Sequence, residues 1–165
     1  MITASLLNIQ DILQGETAAI SINIRPAVAD DIPLLINIEQ ASFSDPWLPQ
    51  TIINSLAEDR TLVLVAAGED GVYGYGVAWT VGDEGEITHI AVAPERRSRG
   101  IGRQLLISLL NECTQRGSKS IFLEVRVSNN QARRLYERCG FRGVGLRRGY
   151  YRDGEDAVIM RWDSG

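Results

Sequence analysis

Seven short stretches of the chain alternate apolar with polar residues, or are continuously apolar and rich in β-branched residues. Each of them predicts a β-strand. Turn-forming glycine, asparagine and aspartate residues separate several of them, and the turn Gly68–Gly71 joins the second strand to the third. The predicted strands cover residues 20–25, 61–67, 72–79, 87–93, 120–127, 141–146 and 157–162.

Between these strands, apolar residues recur every three to four positions, which is the period of an amphipathic helix. Asp30 or Asp31 can cap the first helix, and Pro33 is acceptable in its first turn. A second, short helix follows Asp45-Pro46-Trp47. The first helix is expected over residues 32–41, and the third and fourth over residues 103–113 and 128–140.

The order of these elements predicts a mixed α/β fold with a strand-helix-strand unit in its middle. We find no internal repeat and no linker, so the sequence predicts one domain over residues 21–165. Residues 1–20 show neither a clear helix cap nor a continuous period. They are expected to form an N-terminal extension, mobile or loosely docked.

Composition is that of an ordinary globular protein. Of the 165 residues, 44% are hydrophobic and 23% are charged, which argues against disorder. No apolar run approaches the roughly 20 residues that cross a bilayer. The first basic residue is Arg25, so the amino terminus lacks the basic region of a signal peptide. We therefore expect a cytoplasmic protein that does not bind membranes.

Metal and disulfide chemistry are poorly supported. Cys113 and Cys139 both lie in helix-like segments with apolar neighbours, which favours reduced core thiols over a bridge. His89 is the only histidine. No metal site is expected.

Charge is distributed unevenly along the chain. Residues 1–95 carry 2 basic and 14 acidic side chains, whereas residues 96–165 carry 15 basic and 7 acidic ones. One interpretation is a polyanionic ligand on one side and a cationic ligand on the other. The alternative is that opposite charges neutralise each other across the folded surface.

The turn Arg97-Ser98-Arg99-Gly100-Ile101-Gly102 separates a predicted strand from a predicted helix. Its glycines allow close approach of the backbone to a ligand, and the first amides of a helix attract anions. It lacks the Gly-Lys-Ser/Thr of a P-loop and the third glycine of a dinucleotide fingerprint. The turn therefore predicts either a phosphate site or an ordinary strand-to-helix connection.

Three polar side chains further along are candidates for chemistry or for cofactor contact. Glu124 lies in an otherwise apolar strand and is either a general base or a residue paired with an arginine such as Arg126. Tyr136 is either a hydrogen-bonded core residue or a proton donor. Asn129 is either a helix cap or a hydrogen-bond partner of a cofactor.

Taken together, these residues make the chain resemble the GNAT superfamily of N-acetyltransferases. The glycine turn resembles that family's Gln/Arg-x-x-Gly-x-Gly/Ala motif. The resemblance extends from about Ile24 to Trp162 and is closer to the RimI type, which acetylates the N-terminal alanine of a small-subunit ribosomal protein. It rests on Ile90–Pro94, Leu123–Asn129, Leu135–Phe141, Arg147–Tyr151 and Asp153–Ala157.

The resemblance implies a central, mixed but mostly antiparallel twisted sheet flanked by helices, with acetyl-coenzyme A as cosubstrate and no metal. It implies that Glu124 accepts a proton and that Tyr136 donates one. An amide among Ile90, Ala91 and Val92 would hold the thioester oxygen. The other implied contacts are Arg97, Ser98, Arg99, Gly100, Ile101, Gly102, Arg103 and Asn129 for the cofactor, and Trp47, Tyr150 and Tyr151 for the substrate.

Three residues leave the identity of the base open. His89 stands where RimI-type sequences often have asparagine, and it either assists deprotonation or is a polar residue of the strand. Glu84 and Glu86, just upstream, either serve as the base or attract a cationic substrate.

The expected function is acetylation of a protein α-amine, with the amino terminus of a ribosomal protein as partner. The alternatives are acetylation of small-molecule amines or of lysine, and a non-catalytic module that binds acyl-coenzyme A. Direct binding of nucleic acid is not expected, because no RNA-binding motif accompanies the basic half. A monomer or a weak dimer is expected.

Overall fold

The computed structural model of the chain describes residues 21–165. Within them, seven strands form one sheet in the order β1-β2-β3-β4-β5-β7-β6. Neighbouring strands are antiparallel except β4 and β5, which are parallel. The strands are β1 (Asn23–Pro26), β2 (Thr61–Gly68), β3 (Gly71–Val81), β4 (Glu84–Val92), β5 (Ser120–Arg126), β6 (Arg142–Arg147) and β7 (Ala157–Asp163). The predicted mixed, mostly antiparallel sheet is confirmed.

Four α-helices lie within the described residues: α1 (Ile32–Ser42), α2 (Pro49–Ala57), α3 (Ile101–Gln115) and α4 (Asn130–Arg138). Short 3-10 turns precede α1 and α3. Because α3 connects the parallel strands β4 and β5, the predicted strand-helix-strand unit is confirmed. The predicted extension, residues 1–20, lies outside the described residues, so the division of the chain at residue 20 stays a prediction.

The two faces of the sheet bury separate apolar clusters. On one face, α3 contributes Leu105, Leu106 and Leu109, none of which is exposed to solvent. On the other face, α1 contributes Leu35 and α2 contributes Ile52. The sheet therefore separates a face covered by α3 from a face covered by α1 and α2.

A β-bulge interrupts the pairing of β3 with β4. Val77 pairs with His89 and Ala78 pairs with Ile87, so Thr88 is an extra residue in β4. The parallel pairing of β4 with β5 extends only from Glu84 to Ile87. A bulge bends its strand and increases the local twist. Beyond Ile87, the two strands therefore diverge.

Two predictions at the start of the fold are wrong. Within the described residues the first strand begins at Asn23, where its ladder with β2 starts opposite Ala67, so residues 21 and 22 are not part of it; residue 20 lies outside the described residues. Asp31 lies at the start of α1 but makes no side-chain cap there. Its carboxylate instead accepts the backbone N–H of Val28 at 2.8 Å and two hydrogen bonds from the Arg25 guanidinium.

The contact between Arg25 and Asp31 makes the free energy of unfolding depend on pH. The Arg25 hydrogen bond lowers the pKa of Asp31, and the lowering exceeds the opposing effect of burial. A carboxylate with a depressed folded-state pKa stabilises the fold above its unfolded pKa of about 3.9, and this contribution is lost as pH falls through the folded pKa. We expect Asp31→Asn to lose about 1 kcal/mol at pH 7 and much less near pH 3. Urea unfolding at both pH values measures the difference, and a constant loss would contradict it.

The prediction for the cysteines is confirmed, since Cys113 and Cys139 are both free and buried. Within residues 21–165, histidine, cysteine and acidic side chains form no group of three that could hold a metal ion. No helix in that part of the chain has both the length and the apolar character needed to span a membrane.

Candidate active site

A cavity of about 680 Å³ opens where β4 and β5 diverge. Its walls are the ends of these strands, the start of α4 and two loops. We call residues Phe43–Leu48, between α1 and α2, the acceptor loop, and residues 148–156, between β6 and β7, the tyrosine loop. Of the predicted site residues, the cavity is lined by Trp47, Ile90, Glu124, Asn129, Tyr136, Tyr150 and Tyr151.

Two side chains lie against Glu124, one from the edge strand β6 and one from the tyrosine loop that follows it. Oε1 of Glu124 forms an ion pair with Arg147, whose Nε lies 2.8 Å away, and only 12% of the glutamate side chain is exposed. Tyr150 also interacts with it, since the neighbouring Glu124 is the main reason that the pKa of Tyr150 is raised to about 12. The proposed base therefore sits in the cavity wall with an arginine and a phenol around it.

Glu124 is paired with an arginine, as one alternative had it, but that arginine is Arg147 and not Arg126. The Arg126 guanidinium instead donates to Asp153 and to Glu155, each at 2.8 Å. It also lies 3.9 Å from the centre of the Tyr151 ring, a cation–π contact. Arg126 thus forms its ion pairs with acidic residues of the tyrosine loop, and these contacts attach that loop to the end of β5.

Of the two other acids left open as bases, only one lies in the cavity. Glu86 lines it, and both burial and the neighbouring charge of Glu124 raise the pKa of Glu86. Glu84 is exposed at the start of β4 and is not among the lining residues. Glu86 can therefore share a proton with Glu124, whereas the position of Glu84 gives it no such contact.

Tyr136 reaches the cavity from α4. Its side chain is half-buried beside Phe141, with ring centres 5.9 Å apart. Burial raises the pKa of Tyr136 to about 12, so the phenol keeps its proton at neutral pH. The side-chain hydrogen bonds of residues 21–165 do not engage its hydroxyl. That hydroxyl is free to give a proton to a group in the cavity.

Asn129 has one of the two roles left open, that of a helix cap, and its contact with a cofactor stays a prediction. Its side-chain oxygen accepts the Ala132 N–H at 3.1 Å and so caps α4. The residue also lines the cavity. Since the oxygen is used in the cap, the amide N–H groups of Asn129 are the part that can bind a cofactor.

Ile90, Ala91 and Val92 form the edge of β4 that faces the divergence. They pair with Gly76, Tyr75 and Gly74 of β3 on one side. On the other side, the pairing with β5 has already ended at Ile87, so within the described residues that edge has no strand partner. An extended ligand with amide groups could pair with it as a strand would.

The glycine turn lies beyond this edge, at the start of α3. Ser98 and Gly100 both have left-handed backbone angles, with φ of +59° and +79°. Gly100 is the residue before the first helical turn, where no side chain caps the helix. The first amides of α3 are thus left for an anion, with Arg97, Arg99 and Arg103 nearby in sequence. The turn is not part of the cavity wall itself.

His89 is not a free polar residue of the strand. Its Nε2 lies 2.7 Å from Oε2 of Glu39, a carboxylate only 1% exposed. Its ring stacks on Trp47, with centres 4.3 Å apart. His89 therefore belongs to the wall made by the acceptor loop.

Comparison with known proteins shows which family shares this arrangement. The model of the acetyltransferase (GNAT) family matches residues 32–141. The chain belongs to the acetyltransferase (GNAT) family. It is an N-acetyltransferase, and acetyl-coenzyme A is its acetyl donor.

Relatives of this acetyltransferase carry informative names. The ribosomal protein bS18-alanine N-acetyltransferase of Salmonella typhimurium is 38% identical over 133 residues, which cover 79% of this chain and 89% of that protein. The crystal structure of the ribosomal-protein-S18-alanine N-acetyltransferase from Escherichia coli matches with a TM-score of 0.81 and 34% identity, covering 88% of this chain and 97% of that one. Ard1 from Thermoplasma volcanium matches with a TM-score of 0.80 and 26% identity, covering 87% and 98%.

The residues present fit the acetyl donor in two places. The unpaired edge of Ile90–Val92 suits its amide-containing arm, and the start of α3 suits its pyrophosphate. When bound, acetyl-coenzyme A supplies an acyl thioester. The roles of the individual cofactor-binding residues stay predictions.

Gly100 offers a direct test of the cofactor half of this acetyltransferase. A side chain at φ of +79° is strained although nothing lies within 4 Å of its Cβ position, whereas a Cβ on Gly102 would meet only ordinary contacts at 3.7 and 3.8 Å. We expect Gly100→Ala to cost about 1 kcal/mol of stability and to raise the KM for acetyl-coenzyme A severalfold. Gly102→Ala is the control for stability. Equal losses of stability in the two variants, measured by thermal unfolding, would contradict the strain argument.

Sequence reasoning missed three residues around the site, namely Glu39, Arg152 and Phe43. Glu39 follows Leu35 by one helical turn, so it is a charged residue on the buried face of α1. A charged residue on the apolar face of a predicted helix could have identified Glu39 from the sequence. Nothing in the sequence pairs Arg152 of the tyrosine loop with Asp45 of the acceptor loop, yet their side chains meet at 3.2 Å.

Proposed function

We propose that this acetyltransferase modifies the N-terminal α-amine of a protein, and that its acceptor is the alanine at the amino terminus of a small-subunit ribosomal protein. The observation that carries the proposal is the cavity, whose lining includes Glu124, Tyr136 and residues of both the acceptor loop and the tyrosine loop. The names of the relatives in Salmonella typhimurium and Escherichia coli support it. We place the reaction in the cytoplasm, where ribosomal proteins are made.

The chemistry needs one proton acceptor and one proton donor. A peptide α-amine has a pKa of about 7.7–8.0, so part of it is already neutral near pH 7.5. Glu124, directly or through water, takes the proton from the amine as it attacks the thioester carbonyl. A backbone amide at the unpaired edge of β4 stabilises the charge that develops on the carbonyl oxygen. Tyr136 gives its proton to the departing sulfur.

The acceptor enters between the two loops. Trp47 and Phe43 on one side and Tyr150 and Tyr151 on the other present aromatic walls, which suit a short extended segment. The carboxylates of Glu86 and Glu124 favour a cationic end group. A chain terminus meets both requirements.

Peptides that differ only in where an amine is available test the proposal. A peptide beginning with alanine and carrying an internal lysine is incubated with acetyl-coenzyme A, and mass spectrometry locates the acetyl group. The matched control is the same peptide with a blocked amino terminus. We expect product on the α-amine and none on the blocked peptide. Product on lysine alone, or free amines acetylated as fast as peptides, would contradict it.

A panel of peptides differing at the first residue then tests the alanine assignment. We expect alanine to be preferred over residues as large as phenylalanine. Equal kcat/KM values across the panel would leave α-amine acetylation standing and would contradict the specificity for alanine.

A further inference from the structure

We propose that Glu39 is a positioning residue that ties the acceptor loop to the sheet and thereby holds the wall against which the acceptor docks. The proposal rests on the function above, because it assigns the loop Phe43–Leu48 to the acceptor. Glu39 itself does not line the cavity, so it acts through the residues that it contacts.

The carboxylate of Glu39 is buried. The Glu39 residue is only 1% exposed, on the side of α1 that packs against the sheet. An ionised group in such a place destabilises the fold unless hydrogen bonds compensate for its lost hydration. A buried glutamate therefore needs a structural or functional explanation.

Hydrogen-bond partners from three elements surround the Glu39 carboxylate. Oε1 accepts the backbone N–H of Trp47 at 2.8 Å. Oε2 accepts the Tyr75 hydroxyl at 2.6 Å and lies 2.7 Å from His89 Nε2. Although burial alone would raise the pKa of Glu39, these contacts lower it below its ordinary value. One oxygen thus holds the acceptor loop, and the other holds β3 and β4.

The contacts of Glu39 fix the position of three aromatic rings. Trp47 stacks on His89 with ring centres 4.3 Å apart, and Phe43 lies tilted against the same imidazole at 4.8 Å. These three rings are one wall of the cavity. Both the loop side and the strand side of that wall are attached to the same carboxylate.

Few other side-chain hydrogen bonds hold the acceptor loop. Among the side-chain hydrogen bonds of residues 21–165, the other one that engages Phe43–Leu48 is between Arg152 and Asp45. Those two side chains are 88% and 55% exposed, so solvent screens their attraction. The buried carboxylate is therefore the stronger constraint on the position of the loop.

The test separates the acceptor from the acetyl donor. Glu39→Gln keeps the shape of the side chain but replaces one of its two oxygens by an NH2 group, which must face either the Trp47 N–H or the Tyr75 hydroxyl and His89. We expect the KM for an alanine-starting peptide to rise about tenfold or more, with the KM for acetyl-coenzyme A unchanged within twofold. Tyr75→Phe is the matched control, because it removes a donor to the same carboxylate but leaves the contact with the acceptor loop. Its peptide KM should change less than threefold.

Thermal unfolding and amide hydrogen exchange complete the test. A merely structural role would lower the melting temperature and leave both KM values of the folded protein unchanged, which would overturn the proposal. The proposal also requires faster exchange of the Trp47 amide in Glu39→Gln than in Tyr75→Phe. If Glu39→Gln does not fold, Glu39→Asp replaces it, with a smaller rise in peptide KM expected. Failure of both to fold, or an unchanged peptide KM in Glu39→Asp, would overturn the positioning role.

Failure of the role proposed for Glu39 can be distinguished from failure of the proposed function. If the wild-type protein does not acetylate the peptide, the α-amine proposal fails before any variant is compared. If the wild type does acetylate it and Glu39→Gln has the same peptide KM, only the role of Glu39 fails.

Discussion

Replacing Glu124 by glutamine is expected to lower kcat/KM for an alanine-starting peptide by about 100- to 1000-fold, within the range that general-base catalysis contributes. Glutamine has the size and shape of glutamate, so we expect the form of the cavity wall to be preserved although the ion pair with Arg147 is lost. The glutamine side chain cannot accept a proton. Initial rates measured between pH 6 and pH 9 check the loss, and calorimetry is expected to show unchanged binding of acetyl-coenzyme A.

The pH dependence of the residual activity provides a second signature. Without a base, attack depends on amine that is already neutral, and the α-amine has a pKa of about 7.7–8.0. Below that pKa, the neutral fraction rises about tenfold per pH unit. The rate of Glu124→Gln should therefore rise more steeply with pH than that of the wild type.

Two neighbouring acids provide the controls for this experiment. Glu84→Gln changes an exposed acid outside the cavity and should leave the rate unchanged. Glu86→Gln should lose less than tenfold, because we assign it at most a shared proton. A loss in Glu86→Gln as large as that in Glu124→Gln would move the base role to Glu86.

Tyr136→Phe is expected to lower kcat by about 100-fold, because the departing sulfur loses its proton donor. The phenylalanine ring fills the same space beside Phe141, so folding should be preserved. Since the pKa of Tyr136 is raised to about 12, the hydroxyl stays protonated up to high pH. The wild-type rate should accordingly show no fall between pH 8 and pH 10 from ionisation of this group.

Release of the coenzyme A thiol, followed continuously with a thiol reagent, measures this loss. Tyr73→Phe is the matched control, since Tyr73 donates its hydroxyl to Asp70 and does not line the cavity. A Tyr136→Phe variant as fast as the wild type would remove Tyr136 from the mechanism.

Periodicity predicted most of the fold because the buried faces are unambiguous. The apolar stripe of α3 predicted a helix over residues 103–113, and the helix runs from Ile101 to Gln115. The first strand was predicted to include residues 21 and 22, because alternation continues upstream of Asn23 whereas the ladder with β2 begins there. Where a strand ends is decided by its partner, which the local pattern does not contain.

The contacts of the site were harder to predict, because they join distant segments. Arg126 follows Glu124 by two residues on the same strand face, which made it the natural partner. The tyrosine loop supplies Asp153 and Glu155, which take that arginine, and Arg147 reaches Glu124 from β6. Similarly, Glu39 meets donors 8, 36 and 50 positions away.

Because Thr88 is the extra residue of the β-bulge, the function of the protein depends on the presence of a residue at that position. The side chains before and after the bulge already face the correct sides of the sheet, since Ile87 packs in the cluster covered by α3 and Ala91 in the cluster covered by α1 and α2. Deleting Thr88 would let Ala78–Ile87 and Val77–His89 become consecutive pairs of a regular ladder. Both cores would survive, but β4 would lose the bend that separates it from β5. A single-residue deletion could thus leave a folded protein without a cleft, a change that no side-chain replacement at Thr88 would produce.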